Sequence, residues 1–154
     1  MTENITEENT VGEAIDFIAY NIEEGVHCPC CEQFAKVYRR PLSSATARVL
    51  IAMYKHNGNG WVHLTDLKIV RSDEAKARHW GLIEQRPGER EDGSARTGWW
   101  RLTPEGVNFV NRRLRVPKYA VIYNGQCLRL EGPPTSIVQC LGTRFNYSRL
   151  MEVA

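Results

Sequence analysis

Residues 27–31 read His-Cys-Pro-Cys-Cys and hold three of the five cysteines of this 154-residue chain. Cys28 and Cys31 have the C-x-x-C spacing at which a tight turn aims two sulfurs at one point, about 2.3 Å from a metal ion. The chemistry this suggests is structural zinc. Tetrahedral zinc takes four ligands, and no second C-x-x-C or C-x-x-H occurs in the chain. The remaining donors would come from Cys30, His27, His79, His63, Cys127, or the Cys28 and Cys31 of a second chain. Cys28, Cys31, Cys30 and His79 form the leading set. The competing reading is a reduced cysteine turn that holds no metal. A redox role fits less well, because it calls for a helix N-terminus that depresses a thiol pKa.

A second group of residues suits nucleic acid. Ser72–Trp80 reads as a short polar helix, with Ser72 as its cap and Ala77 and Trp80 toward the core. Asp73, Lys76 and His79 would share a face, with Ser72 at the leading end and Arg78 flanking. Beyond it, "LIEQR" and "WWRL" bracket a charged, glycine-containing flap that includes Arg90 and Arg96 and follows Arg86. A helix can read base edges in the major groove with its early residues. Arginines on a neighbouring hairpin can hold phosphates or enter the minor groove. Asp73, Glu74, Glu89, Glu91 and Asp92 oppose this, although a carboxylate can accept from the cytosine amino group. The alternative is a scaffold helix and a solvated hairpin in a protein-binding module. Catalysis finds little support: the four histidines are scattered, and the chain lacks Gly-x-Ser-x-Gly, a Walker loop and His-Glu-x-x-His.

The elements that must position these residues follow from periodicity and capping. Thr10 is placed to cap a helix from Val11, with Val11, Ile15, Ile18 and Ile22 on one stripe and Gly25 as its stop. Extended segments surround the cysteines. Ser43 or Ser44 opens a helix through Gly58, with Val49, Leu50, Met53 and Tyr54 facing inward. "WVHL" at 61–64 is extended, and Thr65 is expected to cap the next short helix. "GLIEQR" and "GWWRL" should pair as a hairpin. Thr103, Pro104 and Glu105 then make a helix start, with the helix running to about 115. Asn124-Gly125 lies between two β-rich runs, the signature of a two-residue type I′ turn. Gly132-Pro133-Pro134 reads as a linker, Ser136 caps a short helix, and Phe145–Val153 adds another short turn or helix.

Helix, strand, helix, helix, strand, flap, strand, helix is an order that resembles the winged helix-turn-helix of MarR-type and related regulators. Trp100-Arg101-Leu102-Thr103-Pro104-Glu105-Gly106 resembles the "Tyr-x-Leu-Thr-x-x-Gly" segment after their second wing strand. "WGLIE" at 80–84 resembles the join from recognition helix to wing. The likeness spans residues 44–114, and the cysteine turn and C-terminal part lie outside it. The whole chain is also similar to small proteins of phages and prophages. The resemblance implies an α+β fold with a winged helix-turn-helix core, an N-terminal helix and cysteine knuckle, and a C-terminal β-hairpin plus short helix.

Composition sets the outer bounds. The formal net charge of +2 hides an asymmetry: residues 1–24 carry seven acids and no Lys or Arg, leaving 20 basic and 11 acidic residues elsewhere. A basic body with an acidic leader fits a nucleic-acid partner. No apolar run approaches the ~20 residues of a membrane span, and the polar N-terminus lacks a signal-peptide pattern. The expectation is a cytoplasmic protein with reduced cysteines. Its organisation would be an appendage at 1–42, a winged-helix core at 43–116 and an extension at 117–154. Its function would be that of a non-enzymatic small transcriptional regulator that binds double-stranded DNA, with zinc as the cofactor if four ligands assemble. Self-association as a homodimer would use the helix at 11–24 or that at 107–115. The alternative is an adaptor or inhibitor that docks on a host protein and binds no DNA.

Overall fold

The computed structural model describes residues 4–67, 73–88 and 98–152. The chain is a mixed α+β protein, with short helices and three small sheets among the described residues. It divides into two compact units: Met1–Arg40 with Val121–Arg129, and Pro41–Ala120 with Leu130–Ala154. No helix among the described residues is long and apolar enough to cross a membrane.

The smaller unit begins with α1 (Val11–Asn21). Thr10 and Glu13 close a reciprocal capping box that satisfies two backbone N–H groups of the first turn. The Asn9 side chain, and then the Thr10 N–H and hydroxyl, hold the Glu13 carboxyl below its usual range. The expected apolar stripe divides. Ile22 is buried against Val37 and Val121, with Ile18 and Tyr123 beside them, and Ala14 is also buried. Val11 and Ile15 instead stand 73% and 60% exposed. β1 (Val26–His27) and β2 (Phe34–Ala35) form an antiparallel pair around the cysteine turn, in the register Val26↔Ala35 and His27↔Phe34.

The larger unit is organised by α2 (Ser44–Asn57). Ser43 caps it, and Gly58 ends it with an N–H bond to the Tyr54 carbonyl. Ala47, Val49, Leu50, Ile51 and Met53 are fully buried. Around α2 pack a 3₁₀ helix (Asp73–Trp80), α3 (Pro104–Val110), α4 (Ile137–Leu141) and α5 (Tyr147–Met151). β4 (Val62–His63), β5 (Ile83–Gln85) and β6 (Trp99–Leu102) form an antiparallel sheet in the order β4-β6-β5. β5 and β6 pair as Ile83↔Leu102, Glu84↔Arg101 and Gln85↔Trp100.

Thr65 does not cap the helix after β4. A 3₁₀ turn already begins at Leu64, and the Thr65 hydroxyl lies 2.7 Å from His63 Nδ1. α3 ends at Val110 rather than near 115, because Arg112 turns into the left-handed region at φ 61°. β3 (Tyr38–Pro41), β7 (Val116–Tyr123) and β8 (Gln126–Thr135) form the third sheet, in the order β3-β7-β8. Asn124 and Gly125 turn between β7 and β8 at φ 51° and 76°, the positive pair that a type I′ turn requires. Gly132-Pro133-Pro134 is not a linker but the last part of β8. This edge strand accommodates prolines because its outer N–H groups have no ladder partner to lose.

The start of α3 is locked onto the chain at 81–82. The Thr103 hydroxyl lies 2.5 Å from the Gly81 carbonyl oxygen and also accepts the Gly106 N–H. The Thr103 N–H donates to the Leu82 carbonyl at 3.0 Å. Gly106 is buried, and a Cβ there would overlap the Leu82 carbonyl oxygen. Gly106→Ala should therefore destabilise the fold by about 1–3 kcal/mol, the range for forcing a methyl group into a packed site. Thermal denaturation of the variant beside the wild type reads this directly, and an unchanged midpoint would show that the helix can shift at no cost.

Candidate nucleic-acid interface and cysteine turn

The Asp73–Trp80 helix is of the 3₁₀ type, so residues three apart lie directly above one another. Ala77 and Trp80 make the buried row. Trp80 is further fixed by its indole N–H, which donates to the Pro117 carbonyl at 2.7 Å. Lys76 and Arg78 are exposed and His79 is half-buried. Burial, and then the charge of Arg78, hold the His79 imidazole below its ordinary pKa. Asp73 opens the helix. Ser72 lies outside the described residues, as do Arg90 and Arg96 of the flap.

Arg86 leaves β5 with its backbone N–H bonded to the Trp99 carbonyl at 2.9 Å and its guanidinium 5.8 Å from the Trp99 ring centre. Trp99 and Trp100 point to opposite faces, as successive strand residues must. Trp100 is buried, whereas Trp99 is half-buried and meets the His63 ring edge-on at 5.1 Å. Arg101 is a residue the sequence reading passed over. It pairs with Glu84 across the strands and stacks 4.4 Å over the Trp61 ring. The signal that would have found it is the hairpin register, which sets opposite charges at 84 and 101 directly across from each other.

Several other cations of the basic body already have partners within the fold. Arg39 pairs with Glu23 at 3.4 Å. Arg48 lies 5.1 Å over Phe145, and Arg112 lies 4.9 Å over Tyr147. Arg40, Arg113 and Arg115 are exposed. Lys68 and Arg71 fall outside the described residues.

The cysteine turn belongs to the smaller unit and spans the gap between β1 and β2. Its ends are tied by Cys28 N–H to the Gln33 carbonyl at 2.7 Å and by Glu32 N–H to the Cys28 carbonyl at 2.9 Å. Glu32 takes φ 66°, a left-handed turn residue placed directly after Cys31. The Cys30 N–H points at Cys28 Sγ, 3.4 Å away. The backbone N–H of Cys31, then that of Cys30, hold the Cys28 thiol below its ordinary pKa. Cys28 is half-buried, and Cys30 and Cys31 are exposed. His27 is oriented by its Nδ1, 3.2 Å from the Glu32 carbonyl, and by the Phe34 ring. Cys28 and Cys31 line an open recess of 280 Å³ with Phe34, Lys36 and Tyr38.

Among the described residues, no group of three or more His, Cys, Asp or Glu side chains is placed to hold a metal ion. The three cysteines of the turn belong to one unit and His79 to the other. Cys127 lies on β8, with its thiol 3.4 Å from the Arg129 carbonyl. Cys140 lies in α4, where burial pushes its thiol pKa up. No protein-family model, curated protein or solved structure matches this chain.

The two environments predict an order of thiol reactivity. In metal-free protein near neutral pH, iodoacetamide should label Cys28 well before Cys140, since the thiolate is the nucleophile. Peptide mapping by mass spectrometry over a time course checks this. Equal rates would mean that the turn amides do not favour the Cys28 thiolate.

Proposed function

We propose that the larger unit is a winged helix that binds double-stranded DNA, and that the chain is a small non-enzymatic transcriptional regulator. The observation that carries this reading is the β4-β6-β5 strand order, with the 3₁₀ helix Asp73–Trp80 feeding directly into β5. That arrangement suits a helix presented beside a two-stranded wing. The helix offers Lys76 and Arg78 from a backbone fixed by buried Ala77 and Trp80. Asp73 opens it, Ser72 precedes it in the sequence, and His79 follows on the same row as Lys76. Arg86 stands at the root of the wing, and Arg90 and Arg96 belong to its flap. In this reading the helix lies in the major groove and the wing arginines neutralise phosphates.

A second reading has its own support. α1 leaves Val11 and Ile15 exposed on one side and Tyr20, beside Glu13 and Asp16, exposed on the other, apolar surface open to another protein. It makes the chain an adaptor or inhibitor with a winged-helix scaffold.

Titration of a fluorescent random duplex at several salt concentrations separates the two. DNA binding should weaken linearly on a log–log plot. Lys76→Ala and Arg86→Ala should each reduce the slope by about 0.9, the contribution of one phosphate contact. Absence of binding at low salt, or slopes indifferent to both substitutions, would leave the protein-docking reading.

A further inference from the structure

The turn at 28–31 carries the C-x-x-C spacing of one half of a metal site. Glu32 in the left-handed region closes the turn immediately after Cys31, and the Cys30 amide is directed at Cys28 Sγ. An N–H that donates to a ligating sulfur is the outer-sphere contact that orients and tunes such a ligand. Cys28 and Cys31 line one recess, Cys28 half-buried and Cys31 exposed.

Within the smaller unit, the described residues do not supply the other half. All five cysteines and all four histidines lie among the described residues. Among those residues no third donor is grouped with the pair. A tetrahedral thiophilic ion such as zinc takes four ligands in a closed structural site. A two-fold axis through the ion meets that need with one repeated C-x-x-C turn, since each copy contributes the same pair. We propose that Cys28 and Cys31 of two copies of this chain bind one zinc ion between them, and that this ion joins the copies.

The surface beside the sulfurs fits a second copy. Phe34 and Tyr38 line the same recess and stand 56% and 58% exposed. Aromatic side chains in that position are the type enriched at interface centres. The charges nearby are mixed, with Lys36 in the recess and Glu32 in the turn, so two copies do not meet as like-charged patches. Cys30 has a different part: it lends its amide to Cys28, and its own thiol is not one of the C-x-x-C pair. This inference stands apart from the DNA reading, and its readouts involve no nucleic acid.

The test uses the full chain expressed with zinc and purified under reductant without chelator, so that disulfide dimers cannot contribute. Metal content should be about one zinc per two chains. Light scattering should give twice the 17.6 kDa chain mass, falling to the single-chain mass when a chelator removes the metal. Cys28→Ser and Cys31→Ser should each lose both zinc and the dimer, whereas Cys30→Ser keeps both. The chelator arm on wild-type protein decides the matter even if a serine variant fails to fold. One zinc per monomer, no zinc at all, a dimer that survives zinc removal, or loss of zinc in Cys30→Ser would each overturn the proposal.

Discussion

Helix α3 starts where it does because position 106 has no side chain. Its first turn lies against the Leu82 carbonyl, and the Thr103 hydroxyl is bonded to Gly81 while it caps the same turn. That joint holds three things in register. The end of the Asp73–Trp80 helix is set through the Leu82 N–H to the Ala77 carbonyl. The β5–β6 pairing begins one residue later, and α3 is delivered against α2. A side chain at 106 would push these apart together, so the candidate DNA-facing helix and the root of the hairpin depend on one backbone contact. The contact also gives a physical reason for the Thr-Pro-Glu-Gly string. Threonine caps, proline fills a position whose N–H has no partner, and glycine admits the neighbouring carbonyl.

Features set by neighbouring residues were legible in the sequence. Thr10, Ser43, Thr103 and Ser136 all cap helices, because a short hydroxyl side chain reaches the N–H three residues on. Asn124-Gly125 turns as its tolerance for positive φ requires. Features set by distant residues were not. Periodicity showed that α1 has an apolar stripe, but only the positions of Val37 and Val121 decide that Ile22 is buried while Ile15 is not. The Gly-Pro-Pro segment looked like a linker because proline cannot serve a central strand. It became strand because β8 lies at a sheet edge. The left-handed bend at Arg112, which ends α3 early, has no glycine to announce it.

The cysteine turn shows the same division within one site. The segment from Cys28 to Glu32 does form a tight turn, with the Cys30 amide directed at Cys28 Sγ. Spacing does not specify which other donors arrive, because those depend on how separate segments come together. His79 was a plausible ligand by type alone, yet it is occupied in a different setting, half-buried next to Trp80 and beside the charge of Arg78.

Charge counting meets a similar limit. The surplus of basic residues beyond position 24 suggested a broad cationic surface. Part of that surplus serves the fold: Arg39 and Arg129 both bind Glu23, Arg101 binds Glu84 and covers Trp61, and Arg48 and Arg112 lie over aromatic rings. Guanidinium groups are well suited to such work, since a planar cation can stack on a ring and bond a carboxylate at once. The acidic N-terminal segment is correspondingly less free than its seven acids imply, because Glu23 meets two arginines within its own unit. Position therefore outweighs number. An arginine already stacked on a ring must leave that ring before it can bind anything else, so a count of cations overstates the positive charge open to a partner.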